Sequence, residues 1–177
     1  MRIRSSSLVN HSLDRVYSAY RDELPGIADY IPDVEYVKVL GREENAGRVK
    51  LHNEWKSSKS IPGFARKVLK PEMLCWDDHA EWVQESWTCE WVLKVRAFTQ
   101  AVTCAGINHF TAEGEGQTRV VIEGRLDIDL KRIPGVPRLV AGPLAPRVEG
   151  FIVSLITPNL ERVNGGLGDY LDEKFGS

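Results

Sequence analysis

The chain predicts an α+β fold, in which a curved antiparallel sheet of six to seven strands wraps around a long C-terminal helix, with two short helices after the first strand. Three observations carry this. Apolar and polar residues alternate through much of the stretch from residue 34 to residue 130, the signature of antiparallel strands with one face in water. Helical spacing occupies the region of residues 13–24 and returns at length after about residue 143. No internal repeat, low-complexity tract or linker interrupts the 177 residues, so a single domain spanning 1–177 accounts for them.

Residues 2–9, RIRSSSLV, alternate weakly and make the first strand. Ser12 precedes Leu13, Val16, Tyr17, Tyr20 and Leu24, the spacing of an amphipathic helix with a good N-cap and Asp14 in its first turn. Pro25 and Pro32 bracket GIADYI and hold it to a turn or two of helix, because the residue before a proline avoids the helical region. From Val34 the pattern is strand. VEYVKVLGREENAGRVKLHNEW reads as two β-rich runs around a charged, Gly-containing turn, with Val49, Leu51, Asn53 and Trp55 on the inner face of the second. SSKSIPGFARKVL interrupts the sheet at Pro62 and Gly63 and then carries the pattern of a short helix. Strand signals resume at EMLCWDDHAEWV, WTCEWVLKVRAF, AVTCAGINHF and TRVVIEGRLDIDL, with AEGEGQ as the hairpin turn between the last two.

After KRIPGVP, an apolar stripe from Phe151 to Leu171 marks one long bent helix, or two, from about Pro143 to about Lys174. Pro158 lies inside it. An interior proline costs about 3 kcal/mol in a regular helix, so the fold has to tolerate a bend there. Gly165, Gly166 and Gly168 have no preceding strand and no following Lys-Ser/Thr, so they are not a phosphate loop and are expected to loosen or end the helix.

Composition excludes several function classes. Formal net charge is −2, with 23 basic and 25 acidic residues mixed throughout, which leaves no footprint for nucleic acid. The N-terminal MRIRSSSLVNHSLD lacks the apolar run of a signal peptide, and no segment has the roughly 18 to 20 apolar residues of a membrane span. A soluble, cytoplasmic protein without integral membrane association is the expectation. Cys75, Cys89 and Cys104 show neither CxxC nor Cys/His spacing and read as reduced thiols in strands. No GxSxG, HExxH or dinucleotide fingerprint is present, and no cofactor is expected. Oligomeric state is left open.

The order of elements, together with SLDRVYSAYRDELPGIADYIPDVEYVKVL, GRLDIDL and VEGFIVSLITPNLERVNGGLGDYL, resembles the helix-grip fold of the START and birch pollen allergen superfamily, also called SRPBCC. The resemblance runs over nearly the whole chain. It is nearest to polyketide cyclase-type, coenzyme Q-binding and uncharacterised bacterial members, in which a helix ends at a Pro/Tyr-containing turn before the second strand. It implies a cavity between sheet and long helix for an apolar or amphipathic molecule. The family includes lipid carriers, hormone receptors, aromatase/cyclases and co-chaperones, so fold alone does not give the function.

Candidate site residues follow from the inner faces. Trp55, Trp76, Trp82 and Trp91, with Leu51, Leu93 and Phe110, would wall a pocket for a flat or greasy ligand, or simply pack the core. Ile122, Phe151 and Leu155 would complete the apolar lining. Asn53 and Asn108 fall on inner faces and would orient a polar end, since burying an unpaired amide costs roughly 1 to 3 kcal/mol. Asp78 shares a face with Trp76 and Trp82, or sits in water near a strand end. Asp77 and His79 share the other face of WDDHAEW, a segment that could equally be an exposed hairpin tip. The remaining histidines add no spacing that completes a metal site, and none is expected. The reading is a carrier, sensor or chaperone for a small hydrophobic molecule such as a lipid, quinone or polyketide. The alternatives are an aromatase/cyclase-type enzyme with Asp78 or His109 as acid/base, and a co-chaperone-like interaction module.

Overall fold

The computed structural model describes residues 1–63, 66, 70–132 and 141–176. Seven strands form one antiparallel sheet: β1 (Arg2–Val9), β2 (Val34–Asn45), β3 (Arg48–Ser57), β4 (Cys75–Val83), β5 (Thr88–Val95), β6 (Val102–Ala112) and β7 (Thr118–Ile128). Their order is β1-β7-β6-β5-β4-β3-β2. From β2 to β7 each strand pairs with the next, whereas β1 and β2 lie at opposite edges. The chain crosses between those edges through α1 (Leu13–Asp22), α2 (Leu24–Ile27) and a 3-10 turn over Ala28–Tyr30. This is the role of the interrupted helical pair. Its buried Val16, Tyr17, Tyr20, Leu24 and Ile27 close one end of the space that the curved sheet encloses.

The single long helix α3 (Ala141–Phe175) packs on the inner face through Ile152, Leu155, Ile156, Val163, Leu167 and Leu171, each at most 2% exposed. It runs unbroken through Pro158 and through Gly165, Gly166 and Gly168, so the glycines neither end nor divide it. Their expected role as helix breakers is overridden by packing. A Cβ on Gly166 would lie 3.0 Å from Tyr30 O and from Ile31 Cγ1, so the missing side chain lets α3 approach the crossover closely.

Pro158 supplies no N–H to the carbonyl of Ser154, one turn earlier. Lys59 Nζ donates to that carbonyl instead, at 2.6 Å. The proline is thus tolerated because a lysine from the segment after β3 replaces the lost backbone donor.

Two boundaries differ from the sequence expectation. Pro71–Met73 form a 3-10 turn, so β4 starts at Cys75, and Arg96–Phe98 form another, so β5 stops at Val95. The short helix expected in SSKSIPGFARKVL and most of KRIPGVP lie outside the described residues. The three cysteines are buried, unpaired and on β4, β5 and β6. No described helix is long and apolar enough to cross a membrane.

Candidate ligand-binding site

β3, β4 and β5 turn alternate side chains toward α3, and register then decides which of them meet. Asn53 on β3 pairs with Asp78 on β4, and Trp55 with Trp76. Asp78 in turn lies opposite Leu93 on β5. The two indoles stack with centroids 5.8 Å apart and planes 15° from parallel. WDDHAEW is therefore the middle of a strand flanked on both sides, not a hairpin tip, and Asp78 is carried inward with Trp76, Ala80 and Trp82.

Asp78 is only 7% exposed. Asn53 Nδ2 and Trp55 Nε1 donate to its Oδ2 at 3.2 and 3.4 Å. Burial pushes its carboxyl up from 3.8 to about 6, against the pull of those two donors. Its Oδ1 has no partner.

These groups border a cavity of about 40 Å³ between sheet and α3. Trp55, Trp76, Trp82, Trp91 and Leu93 line it from the sheet, with Asn53, Asp78 and Asn108. Tyr20 and Leu24 close it at one side, and Ile156, Asn159, Leu160 and Val163 roof it from α3. Leu51, Ile122, Phe151 and Leu155 are buried in the surrounding core. Phe110 packs its ring against Tyr17 and Tyr20, at 5.2 and 5.8 Å between centroids.

Trp91 is held from two directions. Its Nε1 donates to Asn108 Oδ1 at 2.8 Å, which occupies the oxygen that sequence reasoning reserved for a ligand. Its ring lies over Gly106 and Gly124, which face each other across β6 and β7. A Cβ on Gly106 would overlap Trp91 Cζ2 and Glu123 O, and one on Gly124 would sit 2.8 Å from Trp91 Cη2. The glycine pair is a socket for the indole.

Asn159 escaped the sequence reading. It falls in the apolar stripe of α3, one turn from Leu155, Ile156 and Val163, and that position was the available signal. It is buried, its Nδ2 donates to Leu155 O at 2.9 Å, and its Oδ1 is unpartnered. Among the described residues six buried side-chain N or O atoms lack a partner, and four of them belong to cavity residues: Asn53 Oδ1, Asp78 Oδ1, Trp82 Nε1 and Asn159 Oδ1. Unpaired polar atoms are rare and costly in folded proteins, so their gathering around one space marks it as a place for a polar group.

The outer face of β3 and β4 holds a second titratable cluster near the site. Asp77 accepts from His52 Nε2 at 2.8 Å and from Arg96 at 2.8 and 2.9 Å, and Arg96 also pairs with Glu54. The hydrogen bonds from Arg96, with His52 adding to them, hold the Asp77 carboxyl down at about 2. His79 does not pair with Asp77 but stacks on His52, with ring centroids 4.4 Å apart. His109 is absent from the cavity wall and lies opposite Thr88, where the β5 side chains face outward.

Comparison with solved structures places this arrangement of sheet and helix. The aromatase/cyclase ZhuI of Streptomyces sp. R1128 superposes with a TM-score of 0.65 at 18% identity, over 98% of this chain and 95% of that one. The fold is the helix-grip fold. The di-domain ARO/CYC StfQ of the steffimycin biosynthetic pathway matches 99% of this chain over 52% of its own length, at 12% identity and a TM-score of 0.62. Ara h 8.0201 matches over 98% of both chains, at 7% identity and 0.55. No family model matches the chain, and no curated protein matches its sequence. In this helix-grip chain the cavity sits under the C-terminal helix, between it and the curved sheet.

Proposed function

We propose that the protein binds a small amphipathic molecule in the cavity beneath α3, with its apolar body among the indoles and its polar end at Asp78 and Asn53. The observation that carries this reading is the set of unpartnered polar atoms on an otherwise apolar wall. A few placed polar groups in an aromatic lining are what orient a ligand. Volume bounds its size. About 40 Å³ is room for roughly three waters, well under the roughly 300 to 1,000 Å³ of pockets that hold drug-sized molecules. A small ligand fits this space better than a lipid, quinone or polyketide, each of which would need α3 to move outward.

The test uses the intrinsic tryptophans as reporters, since four of the five line the cavity. Titration with small amphipathic compounds of about three or four heavy atoms should change their emission saturably. Ala80→Val, which puts two methyl groups into the space, should abolish the change while circular dichroism stays native. Unchanged binding by that variant would place the ligand elsewhere.

A second reading, an aromatase/cyclase-type enzyme, is favoured by one observation: a carboxyl at about 6 facing an apolar space can give and take a proton near neutrality. Its support from fold is the likeness to ZhuI. Turnover of a poly-β-keto mimic that is lost in Asp78→Asn while binding persists would favour it. No observation favours the interaction-module reading. The large exposed apolar residues among those described are Met1, Leu8, Val39, Leu40, Val92 and Phe175, of which only the adjacent Val39 and Leu40 share an element, β2.

A further inference from the structure

The donor and acceptor balance of the cavity wall narrows the ligand class, taking the cavity as the binding site. Of the four unpartnered atoms there, three are acceptors, Asn53 Oδ1, Asp78 Oδ1 and Asn159 Oδ1, and one is a donor, Trp82 Nε1. A carbonyl or quinone oxygen offers no hydrogen to the three acceptors. No lysine, arginine or histidine is among the described lining residues, so a carboxylate or phosphate would face Asp78 there without a cation. A primary ammonium group, by contrast, carries three N–H donors and one positive charge. Indole is also the strongest aromatic partner for a cation, and four indoles border the space.

We infer that the cavity is a recognition site for the protonated amino group of a small amine, with Asp78 as counter-ion, Asn53 and Asn159 as further acceptors, and the tryptophans around it. The small volume suits a compact amine, and Trp82 Nε1 takes an acceptor atom on the ligand's body or a water. The other titratable groups on the wall are Tyr20 of α1 and Cys89 of β5, and burial pushes both well up, so they stay neutral. The described side chains of α3 on the wall, Ile156, Asn159, Leu160 and Val163, carry no charge.

The test compares isosteres that differ in charge: propylamine, propanol and propionate, and ethylamine, ethanol and acetate. Binding is followed by tryptophan emission and calorimetry on the full chain at about pH 7.5, where an alkylamine is protonated and a carboxyl titrating near 6 is ionised. In at least one series the amine should bind at least about tenfold more tightly than the alcohol, and the carboxylate not measurably. Asp78→Asn should remove the amine's advantage and leave the alcohol's affinity in place. The wild-type comparison stands even if that variant fails to fold. Alcohols that bind as well as their amines in both series, or a carboxylate that binds best, overturn the amine assignment and leave the cavity a ligand site. Failure of all six compounds overturns both the assignment and the site on which it rests.

Discussion

Asp78→Asn isolates the energetic consequence of one buried carboxyl. Burial lifts it from 3.8 to about 6, so between those values the folded state holds a proton that the unfolded state has released. Stability then falls as pH rises through this window, because the folded state binds more protons than the unfolded. The two values differ by about two units, and at about 1.4 kcal/mol per unit the ionised carboxylate costs the fold about 3 kcal/mol above pH 6. Below the unfolded value the cost vanishes. Asparagine at position 78 keeps the shape and an oxygen for Asn53 Nδ2 and Trp55 Nε1, but does not ionise. The variant should therefore gain about 2 kcal/mol relative to wild type between about pH 4.5 and about pH 8, the share of the window lying in that range. Urea denaturation of both proteins at both pH values measures it, and taking the difference between proteins cancels the other titrating groups. An equal stability difference at the two pH values would refute the reasoning, for it would mean that Asp78 titrates as if in water.

Three further outcomes are expected. Gly106→Ala should destabilise by at least about 3 kcal/mol in urea melts and shift tryptophan emission, since the new Cβ overlaps Trp91 and the Glu123 carbonyl; a loss under about 1 kcal/mol would mean the socket is slack. Asp172→Ala removes the 2.8 Å partner of the 4%-exposed His11 and should cost about 1 to 2 kcal/mol by the same assay, with His11→Ala and the double variant showing non-additivity. Lys59→Met should cost about 1 kcal/mol or more in wild type and less in a Pro158→Ala background, where a restored N–H satisfies Ser154 O; equal costs in the two backgrounds would detach Lys59 from the proline.

The sheet was legible because its inner-face periodicity is local: Val49, Leu51, Asn53 and Trp55 announce their shared side within seven residues. The cavity was legible only in part because it is made by register and by docking. Asp77 and Asp78 are adjacent acids on opposite faces, and only the pairing of β3, β4 and β5 decides which is buried. Asn159 enters the site because α3 presents its face of Ile156, Leu160 and Val163 to the sheet, a rotation that the stripe permits without specifying. The Gly106 and Gly124 socket needs the register of β6 and β7, and the Lys59 to Ser154 contact joins residues 95 apart. Neither leaves a local trace. Gly165, Gly166 and Gly168 show the converse, a strong local signal for helix ending that tertiary packing overrules.

A core selected for stability alone has a cheaper solution at position 78. About 3 kcal/mol is a large share of the roughly 5 to 15 kcal/mol by which domains of this kind are stable, and an amide or a leucine would avoid it. The cost has a use only if something recovers it, and a cationic ligand does so by supplying the missing counter-charge. Two opposite dependences on pH then follow from the same group. The free protein loses stability as pH rises through about 6, whereas the stabilisation conferred by a saturating amine grows over the same range, because the amine binds the ionised form. Thermal melts with and without propylamine at about pH 5 and about pH 8 distinguish this from a neutral ligand held by a protonated Asp78, for which the ligand-induced shift would instead shrink as pH rises.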